Sequence, residues 1–413
     1  MTVVGEENQR ELVEEYLGRS WLEGFATPVY GGYSVVALAS SVYSAFGAQV
    51  PAPECRILGS SDVSQASRVA FIVVDALGYF QLLEYSDKVL NNILNMGVRL
   101  EPLTTVAPST TAVAIASMAT GTYPGQHGVL GYVTWVKEAG TVVKTLGMKP
   151  AVGGHRDQLR DSAWKPETIF SIDTPFAKLW AEGIQVKAYV PRSVSDTEYT
   201  RMVYSGADIE EYVTLGELSV KLARELKGEG TTLLLAYIPN LDEVLHVDSP
   251  ASEEYRAELW HVLKALERVF EAAVGNSDSA VIVTSDHGGI DVSEDNVIWL
   301  NKLERLAEKL YVSPSGESRM AYLHTSDKSA VSAVLEEIGV AAVDSSEAVS
   351  KGLFGPTMRY RDRVGDVIAL PRGSKCLRYP YGTGDEEFRL RGHHGGLTSQ
   401  EVIVPLLYYV GRR

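Results

Sequence analysis

Cysteine is nearly absent from this sequence. Only Cys55 and Cys376 occur among 413 residues, and they form neither a CxxC pair nor a disulfide framework, so a disulfide-stabilised fold is excluded. Long hydrophobic runs are missing too. A membrane-spanning helix needs about 18 consecutive apolar residues, and no run in the sequence approaches this length. The first thirty residues carry early acids and lack an apolar signal core. We therefore expect a cytoplasmic protein that does not enter a membrane.

Positive charge is also scarce. The chain has 38 Lys and Arg against 53 Asp and Glu, which gives a formal net charge of −15. Such a surface opposes binding to nucleic-acid polymers and to anionic membranes. A small substrate that bears a phosphate stays compatible with this charge, because a local metal site can outweigh the global sign.

Internal repeats and low-complexity tracts are absent, and apolar residues make up an ordinary 45% of the chain. Three short apolar runs, at 69–74, 232–238 and 280–284, suit strands that are buried on both faces of a parallel sheet. Helical patterns at 210–226 and 253–273 lie between or beside these runs. This alternation predicts an α/β fold with a mostly parallel central sheet flanked by helices.

The chain divides into three predicted regions. Residues 1–60 are expected to form a helical N-terminal extension, and 61–300 together with 375–413 a catalytic α/β core. Residues 301–374 are expected to form a smaller inserted α+β subdomain. Gly339 stands in it where a helix C-terminal glycine is expected.

Each of the three apolar runs leads into an acidic residue, namely Asp75, Asp242 and Asp286. Ligands of open α/β sheets bind beyond the carboxyl ends of the strands. Three carboxylates gathered there would repel one another unless they were protonated or bound to cations. The pattern therefore indicates a metal site, although a single strand-end Asp is more often a turn former or a helix cap.

Histidines accompany these acids. Asp242 and His246 are four residues apart, which places them on one face of a helix. His287 directly follows Asp286, and His394 lies in the GHHGG segment at 392–396, where glycines allow close approach. Mixed Asp and His ligands favour zinc or a similar transition metal over calcium.

A hydroxyl-rich segment begins at Pro108. The residues after it predict a helix start, and a hydroxyl there would meet free backbone N–H groups and the positive end of the helix dipole. These groups favour a phosphate and an alkoxide, whereas simple capping by Ser109 or Thr110 is the structural alternative.

The order Asp75, Thr111, Asp242-x-x-x-His246, Asp286-His287 and Gly-x-His394-Gly resembles the alkaline phosphatase superfamily, and within it the type I phosphodiesterase/nucleotide pyrophosphatase branch. The resemblance extends from about residue 69 to 396, although 130–230 and 301–375 carry little of it. In the family, a Pro, two residues and a nucleophilic Thr precede S-x-x-T-G-x-Y-P. That register selects Thr111 in this chain and leaves Thr110 as the alternative.

The resemblance implies two divalent metal ions, most simply Zn²⁺, with Mn²⁺ as the other candidate. One ion would be held by Asp242, His246 and His394. The other would be held by Asp75, Asp286, His287 and the Thr111 oxygen. Thr111 would be the nucleophile and would form a phosphothreonine intermediate.

Two further residues are candidate substrate contacts. Diesterases of this branch usually have an Asn shortly after the nucleophile helix, whereas this chain has Tyr132 there. A phenol can donate one hydrogen bond, so Tyr132 could replace that Asn. His393, next to His394, is a candidate contact to the substrate or to a metal ligand.

The leading hypothesis is a two-metal hydrolase of phosphodiester or nucleotide pyrophosphate bonds that acts on a small phosphate ester or nucleotide. A phosphomonoesterase or phosphonate hydrolase on the same site is the alternative enzyme, and a non-catalytic metal-dependent binding module is the alternative from another class. The ester preference, the metal, the substrate and the oligomeric state stay open at this point.

Overall fold

The computed structural model describes residues 6–85, 88–382 and 390–411. Residues 1–5 of the predicted extension, and 86–87, 383–389 and 412–413 of the predicted core, lie outside the described residues. The helices are α1 Glu6–Gly18, α2 Val35–Ala45, α3 Ser60–Val63, α4 Tyr79–Tyr85, α5 Lys88–Asn95, α6 Thr111–Thr120, α7 Pro124–His127, α8 Pro166–Ile169, α9 Phe176–Ala181, α10 Glu198–Val203, α11 Leu215–Leu226, α12 Asn240–Asp248, α13 Glu253–Val274, α14 Glu304–Ala307, α15 Lys328–Glu337, α16 Ser345–Ser350 and α17 Ser399–Val402.

The strands divide between a larger sheet, a smaller sheet and two short pairs. They are β1 Arg68–Val74, β2 Arg99–Thr104, β3 Val133–Val136, β4 Thr141–Lys144, β5 Lys149–Pro150, β6 Gln185–Pro191, β7 Asp208–Tyr212, β8 Thr232–Ile238, β9 Ser279–Thr284, β10 Ile290–Asp291, β11 Val297–Trp299, β12 Ser315–Glu317, β13 Met320–Leu323, β14 Val340–Asp344, β15 Val367–Pro371, β16 Cys376–Arg378, β17 Gly392–His393 and β18 Ile403–Val410.

The larger sheet has the strand order β2-β18-β9-β1-β8-β6-β7. β1 pairs in parallel with both β8 and β9, and β6 pairs in parallel with β8 and β7. β18 runs antiparallel to both β9 and β2. The predicted α/β class with a mostly parallel central sheet is therefore confirmed.

The central strand β1 is buried along its whole length. Val69, Phe71 and Val73 contribute to the apolar core on one face of the sheet, together with residues of α2 and α6. Alternate residues of β1 contribute to the core on the other face, together with α5, α11 and α13. Helices cover both faces, which explains why the strand sequences are continuously apolar rather than alternating.

The prediction of one continuous helix over residues 210–226 is wrong. Asp208–Tyr212 forms β7, the edge strand that pairs with β6, and α11 begins only at Leu215. Thr214 causes the break, because its side chain accepts a hydrogen bond from the backbone N–H of Glu217 and caps the helix. Asp208, Glu210 and Glu211 of this edge strand are exposed.

The smaller sheet has the order β14-β15-β13-β12-β3-β4-β5. It joins strands from two separate parts of the chain, because Gly316 of β12 pairs with Val133 of β3. Residues 301–374 therefore do not build this sheet alone, and the three-region division of the chain stays a prediction. Among the described residues, no helix is both long and apolar enough to cross a membrane.

Candidate active site

Three neighbouring strands of the larger sheet position the acidic residues. Asp75 directly follows β1, and Asp286 follows β9 after one intervening residue. Asp242 lies in the first turn of α12, the helix that follows β8. Because β9, β1 and β8 are adjacent and parallel, all three carboxylates converge at one edge of the sheet.

The first group of metal-type donors consists of Asp242, His246 and His394. The Nε2 atom of His246 lies 3.4 Å from one Asp242 oxygen, and the Nε2 atom of His394 lies 3.6 Å from the other. The spacing of Asp242 and His246 on α12 places both on one helix face, as the sequence predicts. The 392–396 loop adds His394 from a distant part of the chain.

The second group consists of Asp75, Asp286 and His287. The Nε2 atom of His287 lies 3.3 Å from an Asp75 oxygen and 3.6 Å from an Asp286 oxygen. Asp242 connects the two groups, because Asp75, Asp242 and His287 also bring ligand atoms within 4.8 Å of one another. The rings of His287 and His394 stack with centroids 3.8 Å apart.

Hydrogen bonds orient two of the imidazoles toward the carboxylates. Nδ1 of His246 lies 2.9 Å from the Gly392 carbonyl oxygen, and Nδ1 of His287 lies 3.0 Å from the Gly288 carbonyl oxygen. A carbonyl accepts only, so each Nδ1 carries the proton and donates it there. Each Nε2 atom therefore presents a lone pair to the acids, as metal-binding histidines do.

The pKa shifts at the site indicate that its buried carboxylates lack a positive counter-charge within the described part of the chain. Burial, together with the carboxylates of Asp286 and Asp242, raises the pKa of Asp75 well above its usual value. Burial and the neighbouring imidazoles lower the pKa of His394 well below its usual value, which favours the neutral ring. Among the described residues, buried oxygens Oδ1 of Asp242 and Oδ2 of Asp286 have no hydrogen-bond partner. Neutral imidazoles and unpaired carboxylate oxygens fit divalent cations of the zinc type.

Thr111 begins helix α6 beside the second group. Its Oγ1 atom lies 3.2 Å from Nε2 of His287 and 3.4 Å and 3.5 Å from the two Asp75 oxygens. The preceding residue, Thr110, makes no side-chain cap hydrogen bond and directs its hydroxyl to Glu317 instead. The Thr111 hydroxyl is thus the one that faces the acids, at the positive end of the helix dipole.

Tight backbone contacts hold the loops that carry the histidines. A Cβ atom on Gly288 would lie 2.0 Å from the Gln400 carbonyl oxygen, which explains the glycine after His287. Ser109 donates a hydrogen bond of 2.7 Å to the Gly396 carbonyl oxygen and so connects the segment before Thr111 to the 392–396 loop.

A buried ion pair fixes the other side of that loop. Both side chains of Arg319 and Glu401 are inaccessible to solvent, and their charged atoms are 3.2 Å apart. Glu401 also accepts hydrogen bonds from the backbone N–H groups of Gly396 and Thr398. The pair therefore connects the smaller sheet to the loop that carries His394.

The two predicted substrate contacts, Tyr132 and His393, make hydrogen bonds to residues other than the predicted metal ligands. Tyr132 is 41% exposed, and its backbone N–H donates a hydrogen bond to Glu317. His393 is buried, and its Nδ1 atom lies 3.0 Å from Oγ of Ser318. Burial lowers the pKa of His393 to about 3, so this ring is neutral.

Two polar residues at the site, Tyr237 and Glu317, were not predicted from the sequence. Tyr237, the sixth residue of β8, donates a hydrogen bond from its hydroxyl to Asp75. Its position near a strand end could have revealed it, since the neighbouring strands lead into Asp75 and Asp286. No local sequence pattern predicts Glu317 at the site, because the pairing of strands in the smaller sheet places it there.

Comparison with protein families gives one extended match. The model of the family described as "Type I phosphodiesterase / nucleotide pyrophosphatase" matches residues 69–397, which include all the predicted metal ligands and Thr111. No curated protein matches the chain.

Several solved structures have a similar fold. Murine ectonucleotide pyrophosphatase / phosphodiesterase 5 has a TM-score of 0.62 at 16% identity, with 82% of this chain and 87% of that chain covered. An inactive variant of the murine protein in complex with AMP gives the same values. Phosphonoacetate hydrolase from Sinorhizobium meliloti 1021, in complex with phosphonoformate, has a TM-score of 0.57 at 18% identity, with 84% of this chain and 90% of that chain covered.

Proposed function

Because the chain belongs to the type I phosphodiesterase / nucleotide pyrophosphatase family of hydrolytic enzymes, we propose that it cleaves phosphodiester or nucleotide pyrophosphate bonds through a phosphothreonine at Thr111. One observation carries the proposal. Asp242 of the first group brings ligand atoms close to Asp75 and His287 of the second group, and the Thr111 hydroxyl lies 3.2 Å from His287.

The donor atoms support two divalent ions, one in each group. Nitrogen and oxygen donors in this mixture favour Zn²⁺, and Mn²⁺ is the second candidate. When bound, such ions supply positive charge that lowers the pKa of a nearby hydroxyl and offsets the negative charge of a phosphoryl group.

The residues of the chain have distinct roles in this reaction. The Thr111 oxygen attacks phosphorus, its bond to phosphorus forms, and the bond to the leaving oxygen breaks, with the hydroxyl proton directed toward Asp75. Backbone N–H groups at the start of α6 bind phosphoryl oxygens. Water then attacks the phosphothreonine from the side that the leaving group vacated, which restores the Thr111 hydroxyl and releases the phosphoryl product.

The proposed substrate is a small phosphate ester or a nucleotide rather than a nucleic-acid polymer. The formal net charge of −15 gives no counterion release to drive binding of a polyanion. A short substrate places only its phosphoryl group and immediate substituents at the site, where the two donor groups determine the local charge.

Turnover of model esters tests the proposal. Purified protein with added Zn²⁺ or Mn²⁺ should hydrolyse bis-p-nitrophenyl phosphate faster than p-nitrophenyl phosphate, and EDTA should abolish both activities. Absence of turnover of either ester with metal present would favour a non-catalytic binding module. Faster turnover of the monoester would replace the diesterase by a phosphomonoesterase.

A phosphonate hydrolase is the second candidate, favoured by the structural similarity to phosphonoacetate hydrolase. Release of inorganic phosphate from phosphonoacetate, measured under the same metal conditions, tests it directly. Phosphate release that is faster than diester hydrolysis would make this candidate the main activity.

A further inference from the structure

Glu317 lies beside Tyr132, at the side of the site where the resemblance implies an amide. The resemblance places a phosphoryl-binding Asn at the position of Tyr132. In this chain the Tyr132 backbone N–H donates to a carboxylate oxygen of Glu317. An acidic side chain therefore takes up the space beside the position where a neutral amide donor was expected.

Three neighbours place this carboxyl group close to the reacting groups. The side chain of Thr110, the residue before Thr111, interacts with it and lowers its pKa. A Cβ atom on Gly395, the residue after His394, would lie 2.6 Å from the Cβ atom of Glu317. The charge of Asp242 also acts on Glu317 electrostatically. Glu317 thus lies between the nucleophile segment and the first group of metal-type donors.

The backbone holds Glu317 rigidly in this position. Gly316 pairs with Val133 across β12 and β3, and a Cβ atom on Gly131 would lie 2.8 Å from the Gly316 Cα atom. The segment before Tyr132 and the segment that carries Glu317 therefore pack backbone against backbone. This packing and the hydrogen bond from the Tyr132 N–H position the Glu317 carboxyl group at the site.

We propose that Glu317 makes the site select singly charged phosphodiesters over doubly charged phosphomonoesters. This inference rests on the proposed function, since it assigns a specificity to the same site. A diester has one negative charge on its phosphoryl group, whereas a monoester above neutral pH has two. When it is ionised, a partly buried carboxylate beside that group repels the second charge, and a unit charge several ångströms away changes relative affinity by about tenfold.

The test compares Glu317→Gln with the unmodified protein. Gln keeps a side-chain oxygen for the Tyr132 N–H and removes only the charge. Burial raises the pKa of Glu317 to about 8, so assays at a pH of about 9.5 keep the carboxylate ionised in the unmodified enzyme. The ratio of kcat/KM for p-nitrophenyl phosphate to that for bis-p-nitrophenyl phosphate should rise about tenfold in the variant.

A binding measurement supplies a readout independent of turnover. In a Thr111→Ala background, calorimetry should show that Glu317→Gln binds inorganic phosphate about tenfold more tightly. Glu304→Gln, an exposed acid on α14, is the matched control and should change neither quantity. Glu317→Asp keeps the charge and should retain the original ester preference, whereas Glu317→Ala should show the same shift as Gln.

The outcomes separate this inference from the function on which it rests. If the unmodified enzyme hydrolyses the diester but Glu317→Gln and Glu317→Ala leave both the ratio and the phosphate affinity unchanged, the inference is wrong and the proposed function stands. If the unmodified enzyme hydrolyses no ester with metal present, the proposed function itself is wrong.

Discussion

His246 and His394 bring their Nε2 atoms to 3.2 Å from each other, although 148 residues separate them in the chain. His246 has its proton on Nδ1, where it donates to Gly392, so its Nε2 atom presents a lone pair. The ring of His394 is neutral because burial and the imidazoles of His287 and His246 lower its pKa. Two such rings on one carboxylate form a pocket suited to a cation.

His246→Ala should therefore remove one of two bound metal ions. Elemental analysis of protein dialysed against Zn²⁺ should give about two ions per chain for the unmodified protein and about one for the variant, because the second donor group remains intact. His261→Ala replaces an exposed histidine and should leave the ratio unchanged. An unchanged ratio in His246→Ala would contradict the assignment of this group.

Thr111→Ala should lose the covalent phosphoenzyme and reduce diester turnover by roughly a thousandfold or more, because the attacking oxygen is removed. Acid-quenched mass spectrometry during turnover would detect the phosphoryl group on the unmodified protein. Thr110→Ala is the matched control, since its hydroxyl faces Glu317 rather than the acids. Phosphorylation that persists in Thr111→Ala and disappears in Thr110→Ala would move the nucleophile by one residue.

The sequence was informative wherever a local pattern determines the structure. The apolar runs predicted the central strands, and the acids that follow them predicted the edge where Asp75 and Asp286 lie together. The four-residue spacing of Asp242 and His246 predicted a shared helix face, which α12 provides. In each case a periodic pattern or a strand end fixes the position without knowledge of distant contacts.

Features that depend on distant pairing escaped the sequence analysis. Glu317 reaches the site because β12 pairs with β3, and no local pattern reports that pairing. The hydrogen bond from the Tyr132 backbone N–H to Glu317 depends on the same pairing, and the substrate contact of Tyr132 stays a prediction. The helix expected at 210–226 failed because pairing with β6 stabilises residues 208–212 as an edge strand. The cytoplasmic location stays a prediction.

The Asp75 carboxyl group should contribute a loss of stability to the metal-free protein as pH rises above about 4. Burial and the carboxylates of Asp286 and Asp242 raise the pKa of Asp75 above the value of 3.8 that applies to the unfolded chain. The folded state therefore binds the Asp75 proton more tightly, so the free energy of unfolding falls as pH rises from the unfolded pKa to the folded one.

Urea unfolding in EDTA at a series of pH values measures this dependence. Asp75→Asn is uncharged at every pH, so the stability of the unmodified protein relative to this variant should fall over the same range. Restoring Zn²⁺ should raise the stability of the unmodified protein most at the higher pH values, where the carboxylates are ionised. Parallel curves for the two apoproteins would contradict the assigned role of Asp75.

Glu401→Gln should destabilise the fold by about 3–5 kcal/mol, because it leaves the Arg319 guanidinium buried without its counter-charge. The change should also weaken metal binding, since Glu401 accepts hydrogen bonds from Gly396 and Thr398 in the loop that carries His394. Chemical denaturation of the metal-free protein measures the first effect, and competition with a chelator measures the second.

A surface ion pair of the same chain gives the matched control. Arg305 and Glu337 are mostly exposed, with charged atoms 2.7 Å apart, so Glu337→Gln should cost no more than about 1 kcal/mol. Replacing Arg319 and Glu401 together by Met should cost less than either single change, because no unpaired charge then stays buried. Equal costs for the buried and the exposed pair would show that Arg319 and Glu401 reach solvent and do not hold the loop.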